Sequence, residues 1–481
     1  MIARSYINGA WCDVGRRIAV EDPATGESIG EVVLADTKQV NAAVLAADRC
    51  HQQGLLTRPR PQFRLALMLR IAREIREVAE RGADVLCRES GKPLRDARDE
   101  FGEAARYFEY YGGVADKLEG RSVPLGEQYL DWTLREPYGV SAQIVPWNFP
   151  VGLAARSIAP ALAAGNTIVV KSPEVTPLAL TLLFEAFALA EPPAGALNLI
   201  SGIGSETGDA LVRHPQVRQI VFTGSVPTGR KILHAAADRV VPCVMELGGK
   251  SAAIVHADAD LESVLQSIES GVFFNAGQVC SAMSRVLVHR SIHDELAAMI
   301  AERAKSLRIG HGLEDPDLTP LISASQLARV EQLCLSGIAD GAKAITGGKR
   351  FNRPGYFMQP TVFTEANPKM QLAQDEIFGP AVVLMPFDKP SEAIHMANDT
   401  PYGLVAGVFG ADLDRTLDTA RQLNAGQVFV NEWFAGGIET PFGGMGLSGY
   451  GREKGLEALD NYLQTKNIAI RLKQQASGSL S

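Results

Sequence analysis

A chain of 481 residues, 46% hydrophobic and 21% charged, is too long for one simple core and too apolar for disorder, so two or three folded domains are expected. A formal charge of −8 leaves no basic footprint and argues against nucleic acid as a partner. Six scattered cysteines (Cys12, Cys50, Cys87, Cys243, Cys280, Cys334) show neither paired spacing nor metal-ligand clusters, no stretch is apolar enough to span a bilayer, and the first residues carry no apolar targeting run. A soluble, cytoplasmic protein that binds neither metal nor membrane is expected.

In chain order, 5–33 reads as short strands and turns, with Asn8-Gly9 as a hairpin signal. Segments 37–49, 58–87 and 96–118 carry apolar residues at helical spacing and read as scaffold helices. Segment 120–135 reads as a strand pair broken at Pro124-Leu125-Gly126, too small to stand alone. From Val140 strands and helices alternate: strands at 140–145, 167–171, 196–201, 217–223 and 240–247, helices to 164 and at 177–190, 207–214 and 228–237. That alternation predicts a doubly wound parallel sheet, whose ligands bind at the carboxyl ends of the strands. A second series follows, with helices at 260–274, 292–307 and 324–339 and strands at 284–289, 381–387, 405–410 and 427–432. It predicts a second α/β domain.

Chemistry concentrates at a few of these junctions. Gly277-Gln278-Val279-Cys280 closes the helix 260–274, placing a thiol in a turn before a strand. Thirty-four positions upstream, Glu246 ends an apolar strand and is followed by Gly248-Gly249, which permit a tight turn or a close approach. Gly202-Ile203-Gly204-Ser205-Glu206-Thr207-Gly208 and Phe222-Thr223-Gly224-Ser225, with Gly229 beyond, are glycine-bearing turns between strand and helix where N–H groups can face a phosphate.

Glu246 with Gly248-Gly249, followed at that interval by Gly277 to Cys280, resembles the NAD(P)-dependent aldehyde dehydrogenases of the hydrolytic, non-CoA-acylating type. The resemblance runs from about Tyr6 to Leu472. It implies a doubly wound NAD-binding domain (1–119 and 140–247, with 448–464), an α/β catalytic domain carrying the thiol (248–447), oligomerisation strands (120–139 and 465–473) and a polar tail (474–481). A homodimer or homotetramer is implied. For the cofactor, it implies Val145, Pro146, Trp147, Gly204, Gly208, Phe222, Thr223, Gly224, Ser225, Gly229, Leu247 and Gly248, with Lys171 and Glu174 at the adenosine ribose. Glu376 would hold the nicotinamide ribose and Phe378 support the ring. The family order Lys-Pro-Ser-Glu is here Lys171-Ser172-Pro173-Glu174. A glutamate at the ribose favours NAD over NADP, because a 2′-phosphate would meet a like charge.

The reaction follows from residue types. An aldehyde gives up hydride poorly, whereas the adduct of a thiolate gives it up readily, so Cys280 with a lowered pKa is expected as nucleophile. Asn148 and the Cys280 N–H would hold the oxyanion, and Glu246, raised in pKa by an apolar cleft, would activate the hydrolytic water. A CoA-acylating enzyme or an inactive binding protein on the same fold are the alternatives; the first generally lacks a glutamate at position 246, the second usually shows a broken motif. The resemblance places Phe149, Leu153, Arg156, Phe274, Val279, Ser281, Trp433, Phe434 and Phe442 around the substrate. Arg156 resembles succinic semialdehyde, lactaldehyde and some aromatic aldehyde dehydrogenases; Cys280 to Arg285 resembles betaine-aldehyde and aminoaldehyde enzymes. Glu439 could neutralise Arg156 or attract a cation, and Ser157 replaces a lysine linked in the family to Glu453. Arg156 as a structural ion-pair partner carries equal weight. A small polar or aromatic aldehyde is expected, with an oxygen-bearing tail slightly ahead of a quaternary amine.

Overall fold

A computed structural model describes residues 1–473; the polar tail at 474–481 lies outside the described residues. The first half builds one eight-stranded sheet. At its centre Val140–Ile144 runs parallel to Thr167–Ser172 on one side and Val217–Thr223 on the other, with Leu197–Ser201 and Cys243–Glu246 outside them. Ile144 pairs with both Lys171 and Phe222, and Thr223 pairs with Glu246, so four strands end level at one edge. These strands are buried on both faces, which is why they read as continuous apolar runs rather than alternations.

Short antiparallel strands close the sheet. Ser5–Ile7 and Ala10–Cys12 form the expected hairpin, whose Asn8 and Gly9 both take positive φ (53° and 85°), as a tight two-residue turn demands. Gly449–Tyr450 joins the other edge beside Cys243–Glu246. That last parallel strand starts later than the expected 240. Val240 stands at φ 54° and is 88% exposed, and Pro242 has no N–H for a ladder. The scaffold helices Gln62–Ser90 and Leu94–Gly112 pack on Pro150–Ala164 and Leu178–Leu189, whose faces are buried on almost every side.

The second sheet has seven strands. Ala252–Val255 lies between Arg285–His289 and Val405–Phe409, flanked by Ala381–Phe387, Thr361–Thr364 and Gln427–Val430, all parallel, with Lys343–Thr346 antiparallel at one edge. Ala252–Val255, Thr361–Thr364 and Lys343–Thr346 have no counterpart among the expected strands: four residues without alternation give no periodic signal. Tyr129–Pro137 does not close a hairpin with its own upstream neighbour beyond a single Ser122–Trp132 bridge. It pairs over its whole length with Leu463–Arg471 as an antiparallel ribbon. The class is α/β, with two mainly parallel sheets, a three-stranded sheet of Ile2–Ala3, Ser28–Leu34 and Arg16–Glu21, and a small β ribbon.

Candidate active site

The thiol turn departs from the expected helix 260–274. Asp260 caps Leu261–Ile268 by accepting from the Glu262 N–H, and the helix then loosens through a wide turn at Glu269–Phe273. Asn275, Ala276 and Gly277 follow in the left-handed region (φ 48°, 54° and 72°), which costs non-glycine residues on the order of 1–3 kcal/mol each. Side chains hold the strain in place. The Asn275 amide donates to the Asn148 carbonyl at 3.2 Å, and Gln278 donates to the Asn275 carbonyl at 3.2 Å while accepting from the Ile322 N–H at 2.9 Å. A Cβ on Gly277 would collide with the Gly379 carbonyl, so only glycine fits there.

Gly248-Gly249 admits protein rather than ligand. A Cβ on Gly249 would lie 2.6 Å from the Cys280 carbonyl oxygen, and one on Gly248 would lie 2.5 Å from the Glu376 carboxylate. The Gly249 N–H donates to Glu376 at 3.2 Å. These two glycines therefore bring the Cys280 turn, the Glu246 strand end and the Glu376 loop to one place.

That place is a cavity of about 710 Å³. Of the expected residues, Pro146, Trp147, Asn148, Phe149, Leu153, Arg156, Thr223, Gly224, Ser225, Glu246, Leu247, Gly248, Val279, Cys280, Ser281, Glu376, Phe378, Phe434 and Phe442 line it. Asn148 donates its side-chain N–H to the Gln278 carbonyl at 2.9 Å, which fixes its amide beside the thiol turn. Phe378 stands at φ 54°, its carbonyl held by Gln326, and meets Trp147 edge-on with ring centroids 5.3 Å apart.

Val145, Lys171, Glu174, Gly204, Gly208, Phe222, Gly229, Phe274 and Trp433 are not on the wall. Lys171, buried, bonds Glu174 at 2.8 Å, and the Gly204 N–H reaches the same carboxylate. Burial works against the Glu174 charge, yet Lys171 and these bonds hold its carboxyl below the usual range. With Ser172-Pro173 in swapped order, Glu174 faces Lys171. The helix expected at 207–214 is only a wide turn, Gly204–Gly208, and one α-turn, Asp209–Val212, so Gly204 and Gly208 open no long helix at which a phosphate could sit. Phe222 is core packing across Gly224, and Gly229 lets its helix approach Leu247. Phe274 stacks on Phe149 (5.7 Å, 23°) and meets Phe434 at 6.3 Å as an outer layer. Trp433 is corrected from substrate wall to core. Buried against Gly271 and Gly407 and beside Phe429 and Phe434, its indole is filled in on the side away from the cavity.

Charge sets the chemistry. Glu246 is buried, neither carboxylate oxygen has a protein partner, and burial with nearby Glu453 raises its pKa well above the usual range against Arg156 and Arg452. The expected low thiol pKa is not found. Burial pushes Cys280 up to about 12, Glu246 and Glu376 in the same direction, with Arg156 and the Ser281 N–H opposing. Burial also lifts Glu376 to about 7. The partner of Arg156 is Glu453, not Glu439: the two form a buried ion pair, and the guanidinium also lies 5.3 Å from the Phe442 ring centroid. Glu453 is held there by reciprocal backbone bonds with Phe442 at 2.7 Å. Ser157 donates to Gln143 at 2.9 Å.

Glu103, Tyr107 and Lys454 also line the cavity, the first two from a segment that reads as scaffold and the third from one assigned to the cofactor domain. Glu100, Glu103 and Tyr107 recur at spacing 3 and 4 on one helix face beside Phe101 and Ala104, a polar stripe against an apolar one that was the available signal.

Two mainly parallel sheets with a cysteine and a buried carboxylate at one cleft are the plan of an α/β enzyme. Residues 11–468 match the aldehyde dehydrogenase family, and the chain belongs to it. A mitochondrial benzaldehyde dehydrogenase of Antirrhinum majus is 39% identical over 98% of this chain and 89% of its own length. A betaine aldehyde dehydrogenase of Bacillus subtilis is 38% identical over 98% of both. The solved NAD+ complex of an aldehyde dehydrogenase from Bacillus cereus, 36% identical, superposes with a TM-score of 0.97 over 98% of this chain and 97% of that one.

The raised thiol pKa has a direct test. A group titrating near 12 is protonated throughout pH 7–10, and its thiolate fraction grows about tenfold per pH unit. Alkylation of Cys280 by iodoacetamide in the cofactor-free protein, followed by mass spectrometry, should therefore rise across that range without levelling. A plateau below pH 9 would show an activated thiol instead.

Proposed function

We propose that this enzyme oxidises an aldehyde to the carboxylic acid with NAD as acceptor, through a thioester on Cys280. The observation that carries the proposal is the buried, unpartnered Glu246 carboxylate in the same cavity as Cys280 and the Asn148 amide. Because the thiol rests protonated, its proton must leave as the sulfur attacks; a carboxylate of raised pKa, once ionised, is a strong enough base to take it. Attack places negative charge on the former carbonyl oxygen. The second Asn148 N–H and the Cys280 N–H receive it; each such donor is worth ~10²–10³ in rate. NAD, when bound, supplies the acceptor for the hydride that the adduct expels. Once that first proton has passed to solvent, Glu246 takes a proton from water, which attacks the thioester; the departing thiolate takes that proton back, freeing the acid and Cys280.

The residues fit the cofactor. Lys171 keeps two N–H groups beyond its bond to Glu174, and Glu174 remains 36% exposed, a donor and acceptor set suited to a pair of ribose hydroxyls. Trp147 and Phe378 offer apolar surface beside Glu376, and the structural neighbour from Bacillus cereus is an NAD+ complex. The place of Gly449–Tyr450 beside Cys243–Glu246 supports assigning 448–464 to the cofactor domain. The ribbon, with Leu130, Leu134 and Ile470 exposed, supports a homo-oligomer. Six free cysteines fit the cytoplasm.

For the substrate, the Arg156–Glu453 pair is the deciding contact. An arginine whose charge is already taken does not offer its fork to a carboxylate tail. Beside Glu103, Tyr107 and Lys454, the lining that remains is Phe149, Leu153, Phe434 and Phe442; this aromatic share favours an aromatic aldehyde, as the benzaldehyde-oxidising relative also suggests. An aromatic wall also suits a quaternary ammonium group, which keeps betaine aldehyde as the second reading.

Three measurements test these readings. Cys280→Ala should abolish NADH formation while NAD still binds, and Glu246→Gln should give a burst of NADH followed by slow turnover; insensitivity of turnover to added CoA separates hydrolysis from acyl transfer. Comparing cofactors by kcat/KM should show NAD ahead of NADP. A bare like-charge contact is worth about 1–4 kcal/mol; Lys171 offsets part of it, so a preference near the low end, about fivefold, is expected, and Glu174→Gln should narrow it. Equal values in the native enzyme would defeat that reading. Finally, benzaldehyde should exceed succinic semialdehyde by ~10-fold or more in kcat/KM, consistent with the cost of a carboxylate left unpaired on an apolar wall. If succinic semialdehyde leads, Arg156 is available to substrate; if betaine aldehyde leads, the wall is a cation cage.

A further inference from the structure

Lys92 follows the left-handed Gly91 that ends the helix Gln62–Ser90 and is 1% exposed. It does not line the cavity. Its ammonium forms a buried ion pair with Glu100, donates to the Asn148 carbonyl at 3.0 Å and lies 4.2 Å from the Phe149 ring centroid. Three directions are thus filled: a carboxylate, a carbonyl and a ring face. Glu100, itself buried, accepts the Val151 and Gly152 N–H groups at 2.9 Å each, in the first turn of the helix Pro150–Ala164. One pair of charges therefore grips the chain immediately before and after Phe149.

We propose that Lys92, held by Glu100, is a positioning residue that fixes Asn148 in place as oxyanion donor. The proposal rests on the reading of Asn148 given above. The Asn148 backbone oxygen is held from one side by Lys92 and from another by Asn275, while its side-chain amide is held by the Gln278 carbonyl. An oxyanion donor must stand ~2.7–3.1 Å from the developing charge, and a displacement of about 1 Å can cost ~10²-fold in rate. Apolar packing resists sliding weakly, because dispersion is shallow with distance and has no direction. A charge-assisted hydrogen bond is directional. Buried ion pairs are often replaceable by apolar residues without loss of stability, so this pair is explained by what it orients.

The test is a double-mutant cycle read in single turnover. The pair is removed as Lys92→Met with Glu100→Gln, which leaves no unpaired charge and keeps an acceptor for the two helix N–H groups. With benzaldehyde or propanal, whichever the native enzyme turns over faster, the first-turnover rate of NADH formation should fall 10–100-fold, with the Kd for NAD within twofold of native. In an Asn148→Ala background the same change should cost less than twofold, because the group that Lys92 positions is gone. Lys92→Arg keeps the charge and serves if the pair-deleted protein does not fold; its loss should be smaller and should also vanish in the Asn148→Ala background. Equal losses in both backgrounds, or no loss in the native one, would overturn the proposal as a purely structural pair. If Asn148→Ala alone leaves the first turnover unchanged, the oxyanion reading fails and this proposal with it, a result distinct from additive losses.

Discussion

Everything at the cleft depends on two backbones touching where Gly249 passes the carbonyl of Cys280. Any side chain at that position would push the turn carrying the sulfur away from the sheet that ends in Glu246. The next contacts repeat the device: Gly277 against the Gly379 carbonyl and Gly248 against the Glu376 carboxylate. Three chain segments, around residues 249, 278 and 377, thus meet with only the Glu376 carboxylate between them. Proximity of the reacting groups is built by omission of atoms, and the strained Asn275-Ala276-Gly277 run is the local cost of aiming the turn.

Burial then does to the charges what the close packing did to the geometry. Burial raises the pKa of Glu246, Glu376, Glu453 and the Cys280 thiol alike, and Arg156 opposes it at Glu246, Glu453 and Cys280. The outcome is a site with its thiol protonated and its carboxyls reluctant to ionise.

Much of this was legible in the sequence. Long parallel strands announced themselves as apolar runs, and 324–339 and 381–387 emerged with the expected bounds because strong periodicity and clear breaks flank both. Cys280, Glu246 and Asn148 came with glycines and prolines that mark turns. What could not be read was mostly a matter of partners. No local pattern shows that Arg156 pairs with Glu453, nearly three hundred residues away; only the family's link from position 157 to Glu453 pointed there, and the thiol pKa depends on burial that no local pattern encodes. Trp433 and Phe434 are adjacent and chemically alike, yet a positive φ at Phe434 sends one to the cavity and the other to the core. Lys92 was unremarked because a lysine between glycine and proline looks like a solvated turn.

The short strand Gly449–Tyr450 carries a consequence for how the molecule comes into being. It pairs with Met245 and Glu246, while Ser448 accepts the Leu247 N–H through its carbonyl and donates its hydroxyl to the Gly248 carbonyl at 2.8 Å. The segment bearing the buried carboxylate is therefore clasped by residues made two hundred positions later. During synthesis the first sheet can form its central strands early, but its outer edge stays unpaired until almost the whole chain has emerged. An exposed edge strand invites pairing with another chain, so the newborn protein passes through an interval in which its nucleophile exists and its edge is open. Chaperone dependence and aggregation during expression should be governed by how quickly this late segment arrives and closes that edge.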